Sequence, residues 1–243
     1  MENLVPDVFG GGAGACQCFF FMLVAAGIVA LIVFGVINAR KRREALARMA
    51  AQWGLQYYAD DPFDMPARYA HFDLFSSGHS RKASNIMAGR INDRDVILCD
   101  YKYTTGSGKN QTTYTFQAAI LGLPIQAARM HMRRESVFDR IASWVGHDDI
   151  NFESEEFSKR YHLKCDDRKF AYDIFHALLI EYLLACGDCP TLEMNGPTLI
   201  LYDSNNKLEN FQRLLDIGQE IIRSIPEYVL HQRGIGGTQG GQT

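Results

Sequence analysis

The most constraining feature of this chain is an unbroken run from Cys18 to Ile37 that contains no charged residue. About twenty residues at 1.5 Å rise make a helix ~30 Å long, the hydrocarbon thickness of a bilayer. A soluble core helix of that length carries a polar stripe, and this run carries none. It predicts a transmembrane helix over 16–38, anchored by Phe19, Leu23, Ile28, Leu31, Phe34 and Ile37. A secretory leader fits less well, because Met1 to Gln17 lacks the Lys or Arg that such leaders begin with. Ile37-Asn38-Ala39 would tolerate cleavage, so that reading stays open. The Gly-Ala-Cys at 14–16 stands before the apolar run, the reverse of a lipoprotein signal.

Arg40, Lys41, Arg42 and Arg43 follow the run directly. Basic residues beside a membrane segment stay on the cytoplasmic side. The expectation is a single-pass protein of the cell membrane, with its N-terminus outside and the rest of the chain cytoplasmic. The four cations would also meet anionic lipid headgroups, at about 1 kcal/mol each. Against Glu2 and Asp7 they leave residues 1–43 at +2, so the remainder of a chain of net charge −3 carries −5. A net acidic domain has no electrostatic footprint for nucleic acid, which is therefore excluded as a partner.

The chain divides into a flexible Gly-rich tail at 1–15, the membrane helix at 16–38, a basic juxtamembrane helix at 39–54, a soluble domain at 55–230 and a disordered Gly-rich tail at 231–243. In the juxtamembrane helix Leu46, Met49, Ala50 and Trp53 make an apolar stripe. It either packs on the domain or lies on the lipid interface. Residues 83–133 predict an antiparallel meander. Strands are expected over 85–91, 96–103, 112–121 and 127–132, with Pro124 closing the third; in the second, Ile97, Cys99, Tyr101 and Tyr103 share one face and Val96, Leu98 and Asp100 the other. A short helix over 137–145 and a strand over 161–165 follow. Asp166 or Asp167 then caps one helix from Arg168 to Cys186, apolar around more than half its circumference and expected at the centre of the core. Asn195-Gly196 predicts a hairpin turn between strands 191–194 and 198–202. The last helix opens at Asn206, which forms a capping-box pattern with Glu209. It keeps one seam through Leu208, Phe211, Leu215, Gly218, Ile222 and Ile225. The fold class is α+β: an N-terminal transmembrane helix, then an antiparallel sheet packed by two or three helices.

The motifs are sparse. Cys186-Gly187-Asp188-Cys189 has redox spacing but follows the C-terminus of a helix, where the dipole opposes a thiolate. It reads first as a helix-end turn and second as half of a metal site, for which Cys186 and Cys189, or His147 and Asp149, are the candidate ligands. Gly106-Ser107-Gly108-Lys109 lacks the upstream Gly and the trailing Ser or Thr of a phosphate loop, and leads into a strand. No nucleophile elbow and no paired carboxylates in an argued cleft are found. No cofactor is implied.

The order Asp100-Tyr101-x-Tyr103-Thr104-Thr105-Gly106-Ser107-Gly108, Asp149-Ile150-x-Phe152, Glu156-Phe157-Ser158-x-x-Tyr161-x-Leu163 behind an N-terminal anchor resembles a group of bacterial single-pass membrane proteins of unknown function. The resemblance covers residues 15 to 225 and rests on turn and strand positions. It implies the topology and carries no activity. The sequence thus reads as a membrane-anchored cytoplasmic interaction or scaffolding module, with the bilayer and a protein partner or a second copy as partners. The alternative is a ligand-binding or enzymatic domain, with a cleft at Asp100, Tyr101 and Tyr103 or at the His147–Asp149 loop.

Overall fold

Two long strands lying side by side set the architecture of the domain. The computed structural model describes residues 12–134, 150 and 152–235, and side chains from residue 22 onward. The expected helix at 137–145, the His147–Asp149 loop and the Phe19 side chain fall outside these residues.

Helix α1 runs Gly12–Gln52. It contains the one segment among the described residues that is long and apolar enough to cross a membrane, and none of that apolar window is buried. Leu23, Ile28, Leu31, Phe34 and Ile37 are all exposed, Leu31 at 72%. Two compact units divide at Ala45 and Leu46, so the last turns of α1 belong to the second. There the apolar stripe packs on the domain: Leu46 and Ala50 are buried in its core, with Met49 and Trp53 half-buried against them.

Among the described residues, the second unit is an α+β arrangement on a six-stranded antiparallel sheet. Its elements are β1 Gln56–Asp60, α2 Met65–Arg68, α3 Asp73–Ser76, β2 His79–Ile91, β3 Arg94–Thr105, β4 Thr112–Arg134, α4 Glu155–Arg160, β5 Tyr161–Cys165, α5 Arg168–Ile174, α6 Ala177–Ala185, β6 Thr191–Asp203, α7 Glu209–Arg223 and α8 Glu227–Arg233. Strands β1 to β5 neighbour one another in chain order, and β6 pairs with the other edge of β4.

Alternation along β3 builds two cores. Val96 and Leu98 face a large cluster that includes Phe211, Leu214 and Ile221 of α7. Cys99, Tyr101 and Tyr103 face a smaller one closed by Met65, Tyr69, Phe72 and Phe75 around α2 and α3. The sheet is therefore covered on both faces, which is why its inner strands read as nearly continuous apolar runs. Helix α7 lies close on it at Gly218, where an added Cβ would stand 2.8 Å from a Leu201 methyl and 2.9 Å from one of Leu121.

Three local expectations are corrected. Pro124 does not end a strand, and Asn195-Gly196 does not turn a hairpin: β4 and β6 each run through. The breakers sit opposite one another. Between the pairs Gly122↔Thr198 and Ala127↔Gly196, four β4 residues face the single residue Pro197. Between Ala127↔Gly196 and Met130↔Met194, two face Asn195. Residues that signal a turn when read alone here make a shared bulge, with Gly196 at φ +55° and both prolines where ladder donors are not needed. The backbone freed there is taken up by the segment after α8, as Ile235 N–H donates to the Pro124 carbonyl at 2.9 Å. Next, the 168–186 helix breaks into α5 and α6 at Phe175 and His176, whose backbones leave the helical region. A helix apolar most of the way round would have to be buried on every side, and Leu178 of α6 is instead 73% exposed. Last, α7 begins at Glu209 without a side-chain cap. Buried Asn210 ties its first turn to the sheet, its amide donating to Gln117 Oε1 at 2.9 Å and Asp203 Oδ1 at 2.7 Å.

Candidate functional site

The bulge has a geometric consequence. Thr191 and Tyr202, at opposite ends of β6, both line one cavity of about 490 Å³. Eleven residues of straight strand span ~36 Å, too far for a cavity of that size, so the β4–β6 pair must curl until its ends approach. The cleft formed there takes residues from β3, both ends of β4 and β6, the turn after α6, the loop between β6 and α7, and Arg213 of α7.

One wall is aromatic. Tyr103 and Phe116 stack with centroids 5.6 Å apart and planes 20° apart. Tyr103 also meets Tyr114 at 5.4 Å, and Phe116 meets Tyr202 edge-on at 5.6 Å. Tyr103 and Tyr202 are buried, whereas Tyr114 and Phe116 are half-buried at the cleft surface. The rest of the lining is polar. Arg134 Nη2 pairs with Asp188 at 2.7 Å, and Arg213 Nη1 with Asp203 at 2.8 Å. Arg133 lines the cleft as well.

The Cys186–Cys189 turn closes one end of the cleft. Gly187 at φ +71° caps α6 in the left-handed conformation, its N–H donating to the Leu184 carbonyl at 3.3 Å. The Tyr161 hydroxyl donates to the Gly187 carbonyl at 2.9 Å and fixes the turn from β5. Burial pushes the Cys189 thiol up to about 12, with Cys186 adding to the shift. A buried thiol held neutral in this way is a poor nucleophile. Among the described residues no group of three or more His, Cys, Asp or Glu side chains could hold a metal ion. The other proposed ligands, His147 and Asp149, lie outside the described residues.

No family model matches the sequence, and no curated protein matches it. Among solved structures, the chain is similar to the crystal structure of the mycobacterial trehalose monomycolate transport factor A, TtfA. The two share 11% identity at a TM-score of 0.56, over 78% of this chain and 97% of TtfA. The likeness to TtfA is one of fold. At that identity it assigns no role to any side chain, and the chemistry of the cleft rests on the residues themselves.

Of the residues placed by sequence at a cleft mouth, Tyr103 lines the cavity. Tyr101 is 1% exposed and belongs to the smaller core. Asp100 accepts from Asn85 Nδ2 at 2.8 Å as part of the β2–β3 ladder. Arg40, Lys41, Arg42 and Arg43 all lie on α1.

Sequence reasoning missed a buried polar group on the α2–α3 face. Glu193 of β6 is 3% exposed, and its carboxylate accepts from the backbone N–H of Asp73 at 2.6 Å and of Leu74 at 3.0 Å. It caps α3 from across the sheet, satisfying donors that a helix start leaves without partners. Asp73 in turn pairs with Arg129 at 2.9 Å and with His131 Nδ1 at 3.4 Å. Burial lifts Glu193 to about 7, helped by the Asp73 charge and opposed by the two N–H donors and the Tyr202 hydroxyl. Burial depresses His131 to about 4, against the pull of Asp73. His131 and Glu193 face each other in the β4–β6 register, each between two apolar residues. That Met-His-Met opposite Leu-Glu-Met pattern was the available signal. It reads as a strand face turned to water, and nothing local announces that α3 covers it.

Proposed function

We propose that this chain is a membrane-anchored accessory module that works by binding a partner protein, or a second copy of itself, at the bilayer. The supporting observation is a domain whose fold is matched by 97% of TtfA, a protein named as a transport factor, carried behind a helix able to cross a membrane. An accessory factor needs a rigid, well-cored body held at the membrane and no reaction of its own. The sheet covered on both faces provides such a body. The orientation in this reading has the N-terminus outside and the domain in the cytoplasm, because Arg40, Lys41, Arg42 and Arg43 all follow the apolar run. The same cations hold the inner end of the helix against anionic headgroups.

The test uses the tagged full-length chain in its own cells. After mild solubilisation the reading expects a defined complex heavier than the monomer in its micelle. That complex should persist when the apolar run is exchanged for an unrelated single-pass helix. A monomer in every mild detergent would overturn it. For the orientation, protease added outside intact cells should spare the C-terminal domain; digestion of the domain would reverse the topology.

A further inference from the structure

We propose that the cleft at the curled end of the β4–β6 pair is a binding site for a mononucleotide, with the phosphate on Arg134 and Arg213 and the base on the Phe116 ring. A volume of about 490 Å³ suits a ligand of that class.

The phosphate end rests on the guanidinium groups. A guanidinium has five N–H donors in a planar fork that matches phosphate oxygens. Among the described residues, Arg134 engages Asp188 through Nη2, and Arg213 engages Asp203 and Asn210 through Nη1. Within that set Nε and the other Nη of each side chain keep donors for a ligand. The carboxylates therefore act as orienting groups that hold two forks in place and leave donors for a ligand. Both side chains line the same cavity. A group with three terminal acceptor oxygens can serve two forks at once.

The base end rests on the aromatic wall. The buried rings of Tyr103 and Tyr202 support Phe116 from behind and from its edge, which fixes the orientation of a half-buried ring. Base-on-ring stacking contributes ~1–3 kcal/mol and tolerates any base. Beside it, Ser204 and Asn205 offer hydroxyl and amide groups for a base edge or a ribose.

The experiment is isothermal titration of the full-length chain in phosphatidylcholine nanodiscs with AMP, GMP, CMP and UMP, and separately with inorganic phosphate and adenosine. At least one nucleotide is expected to bind saturably, with phosphate alone and nucleoside alone tenfold weaker or more. Arg134→Gln should weaken binding at least tenfold at an unchanged Tm, since its partner Asp188 is 79% exposed and the pair contributes little to stability. Arg213→Gln should do the same, and Phe116→Leu should weaken nucleotides several-fold while leaving phosphate unchanged. If R213Q fails to fold, R134Q decides. No saturation by any of the four nucleotides, equal binding of phosphate alone, or wild-type affinity in R134Q would each overturn the proposal.

Discussion

Glu193 and His131 stand opposite each other with shifts of opposite consequence, and this makes the pH dependence of stability a sharp test of the buried network. Glu193 rises from 4.5 to about 7. A raised acid favours the folded state most while it is protonated, so its contribution is complete below 4.5 and is lost as pH climbs through 7. His131 falls from 6.5 to about 4. A depressed base contributes fully above 6.5 and loses its contribution as pH drops through 4. At ~1.36 kcal/mol per pH unit, each shift is worth about 3 kcal/mol. Between pH 4.5 and 6.5 the folded chain holds one extra proton on Glu193 and lacks one on His131, so the two slopes cancel. Single variants break the cancellation. The destabilisation caused by Glu193→Gln should be largest near pH 4.5 and shrink by about 3 kcal/mol toward pH 7.5. His131→Gln should change in the other direction, gaining on wild type by a similar amount as pH falls from 6.5 to 4. Guanidinium unfolding of the micelle-bound full-length chain, read by tryptophan fluorescence at half-unit pH steps, supplies these differences. Parallel stability curves for wild type and both variants would show that neither group is held in its shifted state, and the reasoning would fail.

Three further outcomes follow from packing. Ala50 is 1% exposed while its neighbour Ala51 is exposed, so Ala50→Asp should destabilise the domain by about 3 kcal/mol and Ala51→Asp should leave it unchanged. Equal effects in denaturant titrations would mean that the end of α1 is not packed on the core. Gly218→Val should cost about 1–3 kcal/mol, because Leu121 and Leu201 must give way under α7 to a branched side chain that gains little helix propensity over glycine; an unchanged Tm would place the helix farther from the sheet. Cys189 should resist iodoacetamide at pH 8 in the folded chain and react once unfolded, since its thiol is buried and pushed up to about 12. Peptide mapping that finds it alkylated in the native state would contradict the turn geometry.

Some features were legible because they are local. The apolar run, the strand alternation of residues 96–103 and the seam of α7 each repeat with the period of one element, so neighbouring residues alone reveal them. The two-faced pattern of β3 carried over intact, with Cys99, Tyr101 and Tyr103 in one core and Val96 and Leu98 in the other. The cleft was legible only in pieces. Tyr103 and the cysteine pair could be named, but Arg134, Arg213 and Phe116 come from distant points of the chain and meet because two strands bend.

By itself, then, the sequence determined the apolar N-terminal helix, the α+β class and the faces of the strands, because hydrophobic periodicity records which side of an element avoids water. Tertiary structure alone decided that Pro124 and Asn195-Gly196-Pro197 make a bulge, that one apolar stretch breaks into α5 and α6, and that Glu193 caps a helix 120 residues away. Each of these depends on which groups stand opposite one another across the sheet. A turn signal or a lone carboxylate says what a residue can do, and only its partner fixes which of those things it does.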